Sequence, residues 1–277
     1  MLNAASKLLK IGVVAAVCVA CSGQSNQNRE AAQSLLNQAS EAVAAGEFDV
    51  AKELLDSMSE TYPMEVEVGR EAMKLRPAII EGNTLAEITE RQAELLYLAQ
   101  YIDSVSGEFK TVEASDDVLE PYMVHKTVST NWRNKNTAVS RVTADGNFVI
   151  ISSLSGNKTH HTALRFTAPD GASVTSGEVP YDNELKLSRE SVRFSSEQAD
   201  TLGAFAAVIN RGVTLDFVGG KKAPSVKLST KEVNAIASTF RLSKAMRRAQ
   251  AVSYRLEQLK AKLQLARDQS AKLNNPE

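Results

Sequence analysis

The sequence predicts an α+β fold, because the period of its hydrophobic residues is helical at both ends of the chain and strand-like in the middle. Helical spacing runs through residues 31–118, and alternation broken by glycine-containing turns runs through residues 119–228. Residues 230–275 then contain neither glycine nor proline. We therefore expect an N-terminal helical hairpin and a long helix, an antiparallel β-rich domain with one short helix, and a long C-terminal helix that pairs as an antiparallel coiled coil.

The first 20 residues have the composition of a secretory signal. Lys7 and Lys10 precede an apolar run at residues 11–20, which at about ten residues is too short to cross a hydrocarbon core of roughly 30 Å as a helix. The run ends in CVACS, which resembles a bacterial lipoprotein signal, although Cys18 stands where an aliphatic residue is usual. An uncleaved anchor or an ordinary core helix is the alternative.

The lipoprotein resemblance implies an anchored envelope protein. It implies that residues 1–20 are removed as a signal peptide, that Cys21 receives the lipid, and that residues 21–30 form a polar, lipidated tether. Ser22 supplies no acidic retention signal, which in such lipoproteins permits transport to the outer membrane and leaves the periplasmic or surface face open. Because both cysteines precede Ser22, the body of the chain has no thiol for a disulfide, a metal site or a nucleophile.

The acidic helical region, residues 31–118, begins with a predicted hairpin. The string AAGEFDVAKELLDSMSETYP resembles the second half of a tetratricopeptide repeat at Gly46, Phe48, Ala51, Leu55, Met58 and Pro63. The sequence contains one such hairpin, whereas a solenoid needs about three repeats. We expect a packed helical cap, with a peptide-binding groove as the alternative.

A longer helical segment follows the hairpin. Pro77 is expected to kink or end a helix near Arg76, and Thr84 to start the next one. That next segment has a stripe with steps of three and four residues, typical of a coiled-coil seam: Leu85, Ile88, Gln92, Leu95, Ala99 and Ile102.

Residues 119–228 are predicted to form an antiparallel meander. The strand candidates are 122–129, 137–144, 147–154, 161–168, 172–179, 190–194, 213–218 and 225–228. Asp145-Gly146, Ser155-Gly156-Asn157, Asp170-Gly171 and Gly219-Gly220 offer the positive φ angles of tight turns. Ser195 and Gln198 have capping-box spacing for one short helix. A sandwich, an open barrel and a single sheet covered by a helix all remain compatible with this pattern.

Residues 229–277 are predicted to form one basic helix of about 45 residues, spanning roughly 65 Å. Ser229 and Glu232 have the spacing of a capping box. A stripe with steps of three and four residues runs through Leu242, Ala245, Ala249, Val252, Leu256, Leu259, Leu263, Ala266, Ser270 and Leu273.

Charge distribution indicates a partner for this helix. Residues 22–120 hold 7 Lys plus Arg and 20 Asp plus Glu, a net charge of −13, whereas residues 230–277 hold 10 and 4, a net charge of +6. We therefore expect the two helical segments to pair within one chain; pairing with another protein is the alternative. The basic residues Lys244, Arg247, Arg248 and Arg255 would otherwise suit anionic lipid, while a secreted chain of pI about 6.4 argues against nucleic acid.

Few residues could carry chemistry. His160 and His161 would point to opposite faces of a strand and so cannot chelate one metal together, and Lys221-Lys222 is expected at a solvated hairpin tip. No GxSxG, phosphate-binding loop, HExxH or dinucleotide motif is present. The sequence therefore predicts no catalytic residue, metal or cofactor. Trp132, in the polar segment NWRNKN, is the one candidate ligand contact, for stacking on a sugar ring; a half-buried loop anchor is the alternative.

Five segments resemble a set of uncharacterised lipoproteins from Bacteroidota: YMVHK, SRVTADGNFVIISSLSG, ALRFTAPDG, VTLDFVGGKK and KLSTKEVNAIASTFRLSKAM. The resemblance implies a shared fold and an envelope location, without a reaction or site residues. We expect a lipid-anchored cell-envelope protein, not an enzyme, that acts as a structural or protein-interaction module with an envelope protein as partner. A glycan- or peptide-binding lipoprotein with the β domain as its binding head is the alternative.

Overall fold

The computed structural model describes residues 24–115, 119–156, 159–181, 189–220 and 225–274. The fold is α+β, as predicted, and the chain divides into two units. The first, here called the helical unit, comprises Met1–Glu87 and Leu259–Glu277, and the second, the β unit, comprises Ile88–Gln258. Within the described ranges, no helix has the uninterrupted apolar length that a bilayer span requires.

The helical unit contains the predicted hairpin. Helices α1 (Gln24–Ala44) and α2 (Phe48–Thr61) are joined by a turn in which Gly46 has φ +78°. The first part of α3 (Val66–Ser106) packs against both helices. Their shared core consists of Ala32, Leu36, Ala39, Ala42, Ala51, Leu55, Met58, Val68, Ala72 and Ile79. Helix α3 therefore supplies a third helix to the core of the hairpin.

The sequence predicted that Pro77 would kink or end a helix. The structure excludes the second outcome, because α3 does not end at Pro77. The helix is continuous through Pro77, and Thr84 lies inside it, 1% exposed, with its hydroxyl donating to the carbonyl of Ile80 at 2.5 Å. Proline has no N–H, so the helix lacks one hydrogen bond, to the carbonyl of Met73. Burial of Ile79 and Thr84 on the packed face holds the helix together across the proline.

The predicted seam of α3 is correct at Ile88, Leu95 and Ile102 and wrong at its other three positions. Leu85, Gln92 and Ala99 are exposed. In the β unit the less exposed stripe runs through Ile88, Arg91, Leu95, Leu98, Ile102 and Val105, again with steps of three and four residues. The prediction preferred small Ala99 to Leu98 and polar Gln92 to charged Arg91. Arginine can occupy such a position because its aliphatic stem packs while its guanidinium stays at the edge, here paired with Glu94.

The β unit contains two antiparallel sheets. The first has the order β1-β2-β3-β4-β7, with β8 also pairing to β4: β1 (Phe109–Val112), β2 (Tyr122–His125), β3 (Thr137–Thr143), β4 (Phe148–Ser155), β7 (Arg189–Glu190) and β8 (Arg193–Phe194). The second has the order β10-β9-β5-β6: β5 (His161–Thr167), β6 (Ser173–Thr175), β9 (Val213–Gly219) and β10 (Val226–Leu228). All eight strand candidates overlap observed strands, and the 190–194 candidate overlaps two short ones, β7 and β8.

Strand β1 begins before the predicted domain boundary near Leu119. It lies in the region 31–118 that the sequence assigned to helix, and its four residues are too few to establish a period. Pairing with β2 defines it, because Phe109 lies opposite His125 and Val112 opposite Tyr122. Phe109 is buried with Val142 and Leu242.

Most of the predicted turns have the expected backbone. Gly146, Gly156 and Gly171 have φ of +79°, +84° and +90°. Gly219 does not have a positive φ and is needed for a different reason, since a Cβ on it would lie 2.5 Å from the carbonyl oxygen of His160. The adjoining Lys221-Lys222 lies outside the described residues.

The two sheets share one hydrophobic core. Phe148, Ile150 and Phe194 come from the first sheet and Leu164, Phe166 and Leu215 from the second. Helix α4 (Ser196–Ile209) contributes Leu202 and Ala206 to the same core. Ser195 is its N-cap, as predicted, but its hydroxyl donates to the Gln198 side chain at 2.6 Å and makes no backbone capping bond.

The C-terminal helix α5 (Thr230–Asn274) has the predicted length of 45 residues. Its capping box is confirmed, because the Ser229 N–H donates to Glu232 Oε2 at 2.8 Å and the Glu232 N–H donates to Ser229 Oγ at 3.3 Å. In the β unit, α5 runs antiparallel to α3: Arg248 pairs with Glu94, while Leu242 and Met246 share a cluster with Ile102 and Val105. In the helical unit, Arg267 pairs with Glu81 at 2.8 Å.

Candidate ligand site around Trp132

Trp132 lies on a short 3-10 turn, Trp132–Asn134, between β2 and β3. The turn is held from the side by neighbouring strands: the Ser153 hydroxyl donates to the Arg133 carbonyl at 2.9 Å, and Arg189 Nη2 donates to the Lys135 carbonyl at 2.8 Å. Asn136 Oδ1 accepts the Ser155 N–H at 2.7 Å. These bonds fix the loop before any ligand arrives, which lowers the entropy lost on binding.

The register of β3 separates two faces of the first sheet. Val139 lies opposite Ile151, and Ser140 lies opposite Ile150. Because successive residues of a strand point to opposite faces, Ser140 lies on the inner face with buried Ile150, and Arg141 on the outer face with Val139. Trp132 borders a cavity on each face.

The outer cavity has a volume of about 370 Å³ and lies over four strands. Strand pairing places Lys110 beside Val124, Val112 beside Tyr122, and Val139 beside Ile151, and all six residues line it. The remaining lining residues come from the loops and β3: Ser115, Val128, Ser129, Thr130, Trp132, Arg133, Ser140 and Arg141. Three of the lining side chains are cationic: Lys110, Arg133 and Arg141. Among the described residues, no acidic side chain lines this cavity.

Arg141 is a partly buried charged residue in the lining of the outer cavity. Its guanidinium carbon lies 4.5 Å from the centroid of the Tyr122 ring, and its Nε is buried without a hydrogen-bond partner. Burial, and then the nearby positive charge of Arg193, lower the pKa of Arg141, although an arginine remains protonated at neutral pH. No carboxylate of the described residues lies within 4.0 Å of its side-chain nitrogens, because the nearby Glu120 pairs with Arg193 at 3.1 Å.

The inner cavity has a volume of about 300 Å³ and lies between β3 and the beginning of α5. Its charged side chains are Lys135, Lys231 and Glu232, and the carboxylate of Glu232 is already used in the capping box. Ser140, 1% exposed, has a buried hydroxyl with no partner here. The two cavities share Ser140 and differ in charge: the inner one has a carboxylate beside two lysines, and the outer one has three cations.

A second polar cluster joins Ser152, His161 and Glu190 in the core. The Ser152 hydroxyl lies 2.7 Å from His161 Nε2, and His161 Nδ1 lies 2.8 Å from Glu190 Oε2. Glu190 also accepts backbone N–H groups of Thr159 and His160 at 2.7 and 3.0 Å. Burial would raise the pKa of Glu190, but these hydrogen bonds together hold the pKa below its usual range, whereas burial lowers the pKa of His161.

This order of groups resembles a nucleophile, base and carboxylate, but its access differs from that of an active site. Ser152 and His161 are both 0% exposed, and the Ser152 hydroxyl accepts the Val192 N–H at 3.1 Å. A nucleophile must reach its substrate. We therefore assign the cluster a structural role, fastening β5 and β7 to the middle of β4.

The three histidines have separate partners. His161 faces the core, whereas His160, at φ +53°, stacks on Tyr181 with ring centroids 4.4 Å apart. His125 Nε2 lies 3.5 Å from Glu108. Across the described ranges, no group of three or more His, Cys, Asp or Glu side chains could hold a metal ion.

Sequence reasoning identified Trp132 and missed its neighbours. Trp132 is half-buried, as the loop-anchor alternative required, and it also borders two cavities, as a ligand contact requires. Lys110, Tyr122 and Arg141 come from three strands and meet only through the register. Cys18 and the predicted lipidation site Cys21 lie outside the described residues.

Comparison with known proteins found no match among family models, curated proteins or solved structures.

Proposed function

We propose that this chain is a lipid-anchored envelope protein whose β unit is a binding head for a small polar ligand, such as a glycan or peptide segment. The observation that carries the proposal is the position of Trp132, the single tryptophan of the chain. It lies on a turn that is held by hydrogen bonds from neighbouring strands and that borders two cavities. The two volumes, about 300 and 370 Å³, lie at the lower end of the range for ligand sites, roughly 300–1,000 Å³. An aromatic ring beside cavity-facing hydroxyl and cationic groups suits a sugar, which offers an apolar ring face and hydrogen-bonding edges.

A binding test needs the full chain and a matched aromatic control. The chain, purified in mild detergent, is applied to an array of envelope glycans and short peptides. We expect binding to a subset that Trp132→Ala abolishes and Trp132→Phe partly restores. Tyr254→Ala should leave binding unchanged, since Tyr254 is 69% exposed on α5 and lines neither cavity. An array with no signal from the unaltered chain would contradict the proposal.

The anchor belongs to the same proposal, and it rests on the lipoprotein-like signal ending at Cys21. Cells expressing the chain are grown with an alkyne analogue of palmitate, and the chain is isolated and tested for label. Cys21→Ser should remove the label and release the chain from the membrane fraction. Cys18→Ser keeps Cys21 and should retain both, so equal labelling of the two variants would refute the assignment.

A protein-interaction module is the second candidate, and the helical unit offers one observation in its favour. A cavity of about 400 Å³ lies where α2 meets α3 and includes Tyr62, Val66 and Met73 in its wall. Val66 and Met73 are each 65% exposed, and neighbouring Met64 is 88% exposed. Exposed apolar side chains grouped in this way are typical of contact surfaces.

In-cell photo-crosslinking separates this candidate from the first. A photoreactive residue at Met73 should capture a discrete envelope protein, and capture should be lost when Cys21→Ala removes the anchor. The same residue at exposed Gln33 on α1 serves as the control. Equal products from both positions would count against a partner at this surface.

A further inference from the structure

We propose that the outer cavity binds a pyranose ring bearing a carboxylate, that is, a uronic acid residue of an acidic glycan. This inference rests on the proposed binding function of the β unit and narrows its ligand class. It follows from the juxtaposition of Trp132, the cations Lys110, Arg133 and Arg141, and the hydroxyl groups at the rim of one cavity.

Charge is the first argument. The described lining of the outer cavity carries three cations and no acid. Such a local concentration of positive charge attracts an anion and disfavours a cation. The inner cavity lacks this feature, because Glu232 stands among its two lysines.

Arg141 supplies the second argument, because it lines the cavity and has no carboxylate partner among the described residues. Its positive charge therefore remains available to an anionic ligand in the cavity. The Tyr122 ring, 4.5 Å from the guanidinium carbon, restricts the orientation of the group. A fixed, planar guanidinium matches the two oxygens of a carboxylate.

The other lining residues favour a sugar over a simple anion. Trp132 offers an indole ring to an apolar ring face, while Ser115, Ser129 and Thr130 supply hydroxyl groups for sugar hydroxyls. The guanidinium carbon of Arg133 lies 5.5 Å from the centroid of the Trp132 ring, so one cation already lies beside the aromatic surface. A carboxylate and a ring on the same small molecule would therefore contact both parts of the site.

Trp132 is also the probe, because no other tryptophan contributes to the fluorescence. The full chain in mild detergent is titrated with trigalacturonate, with its fully methyl-esterified form, which has the same rings without charge, and with sodium acetate, which has the carboxylate without the ring. We expect saturable change of the emission with trigalacturonate at concentrations at least tenfold lower than with either control.

Two variants locate the carboxylate. Arg141→Gln should weaken trigalacturonate binding by about tenfold or more, the usual effect of losing a charge-assisted hydrogen bond. Arg165→Gln removes an equivalent charge from an exposed position on the second sheet, outside the lining, and should leave affinity unchanged. Thermal unfolding of both variants checks that any loss is not a loss of folding.

The outcomes separate this inference from the function on which it rests. Equal binding of the acid and its ester, unaffected by Arg141→Gln, would overturn the uronate assignment while leaving a glycan-binding head in place. Acetate as effective as trigalacturonate would overturn the need for a ring. If neither sugar binds in the titrations and no glycan or peptide on the array binds, the proposed binding function itself is contradicted.

Discussion

At the residue scale, the buried Ser152, His161 and Glu190 form one consistent set of protons. An ionised Glu190 accepts from Nδ1–H of a neutral His161, and Nε2 of that ring accepts the Ser152 hydroxyl, 2.7 Å away. Both pKa shifts agree with this state, because the pKa of each group is lowered. Every polar group in the chain of contacts then has a partner, which is what burial demands.

This arrangement predicts that acid destabilises the protein. The unfolded chain binds a proton on His161 near pH 6.5, whereas the folded chain does so only at lower pH, so stability falls as pH drops below about 6.5. Glu190, whose folded pKa is below its usual 4.5, adds a further loss when the pH falls below that value. Thermal unfolding between pH 7.5 and 5 should show the decline.

The matched variants are His161→Gln and His125→Gln. His161→Gln is expected to be less stable at pH 7 and to show a shallower decline between pH 6.5 and 5. His125→Gln alters a histidine outside the buried cluster and should keep the slope of the unaltered chain. An unchanged slope in His161→Gln would show that other groups cause the acid sensitivity.

Two buried serines give an opposite pair of expectations. Ser140→Ala removes a hydroxyl that has no partner, and it should leave the free energy of unfolding unchanged or raise it by about 1 kcal/mol. Ser152→Ala removes a hydroxyl bonded to His161 and Val192, and it should lower that free energy by roughly 1–3 kcal/mol. Urea unfolding of both variants measures the difference, and a larger loss in Ser140→Ala would mean that its hydroxyl has a partner in solution.

At the element scale, the sequence predicted the structures that rest on local signals. The eight strand candidates, the Ser229–Glu232 capping box and the Gly46 turn each depend on neighbouring residues, and each was found. A helix end at Pro77 and a new start at Thr84 were wrong, because the packing of Ile79 and Thr84, which offsets one lost hydrogen bond, is not local. The outer cavity could not be predicted, because Lys110 and Arg141 lie close only once β1, β2 and β3 are in register.

Two glycines within α3 differ in what surrounds them. Gly69 has no atom within 4 Å of an added Cβ, whereas a Cβ on Gly82 would lie 2.2 Å from the ring of Phe48. Alanine within a helix is normally more stable than glycine by about 1 kcal/mol. Gly69→Ala should therefore raise the free energy of unfolding by that amount, measured in urea.

Gly82→Ala should lose this gain and become destabilising, since the ring of half-buried Phe48 must move to admit the methyl group. The double change Gly82→Ala with Phe48→Leu relieves the contact and should recover part of the loss. Equal stabilisation by both single changes would mean that α2 and α3 are less closely packed than the structure indicates.

At the scale of the whole molecule, the opposite charges of the two long helices have direct partners. Arg248 hydrogen-bonds Glu94 and lowers the pKa of that carboxyl, and Arg267 pairs with Glu81. Partly exposed ion pairs of this kind contribute little to stability, so charge selects the partner helix more than it holds it. Leu242 and Met246 of α5, which cluster with Ile102 and Val105 of α3, supply the apolar contact.

The antiparallel pairing within the β unit predicts which cysteines will crosslink. Glu94 meets Arg248, and Ile102 and Val105 share a cluster with Leu242 and Met246, so Leu98 should lie opposite the turn that contains Ala249. In a chain carrying Cys18→Ala and Cys21→Ala, Leu98→Cys with Ala249→Cys should form an intrachain crosslink.

Leu98→Cys with Ala251→Cys is the control, because Ala251 is exposed while Ala249 is half-buried. Mild oxidation followed by non-reducing electrophoresis and peptide mapping distinguishes intrachain links from dimers. Only interchain links would mean that α5 pairs with a second copy, which the same seam would equally permit.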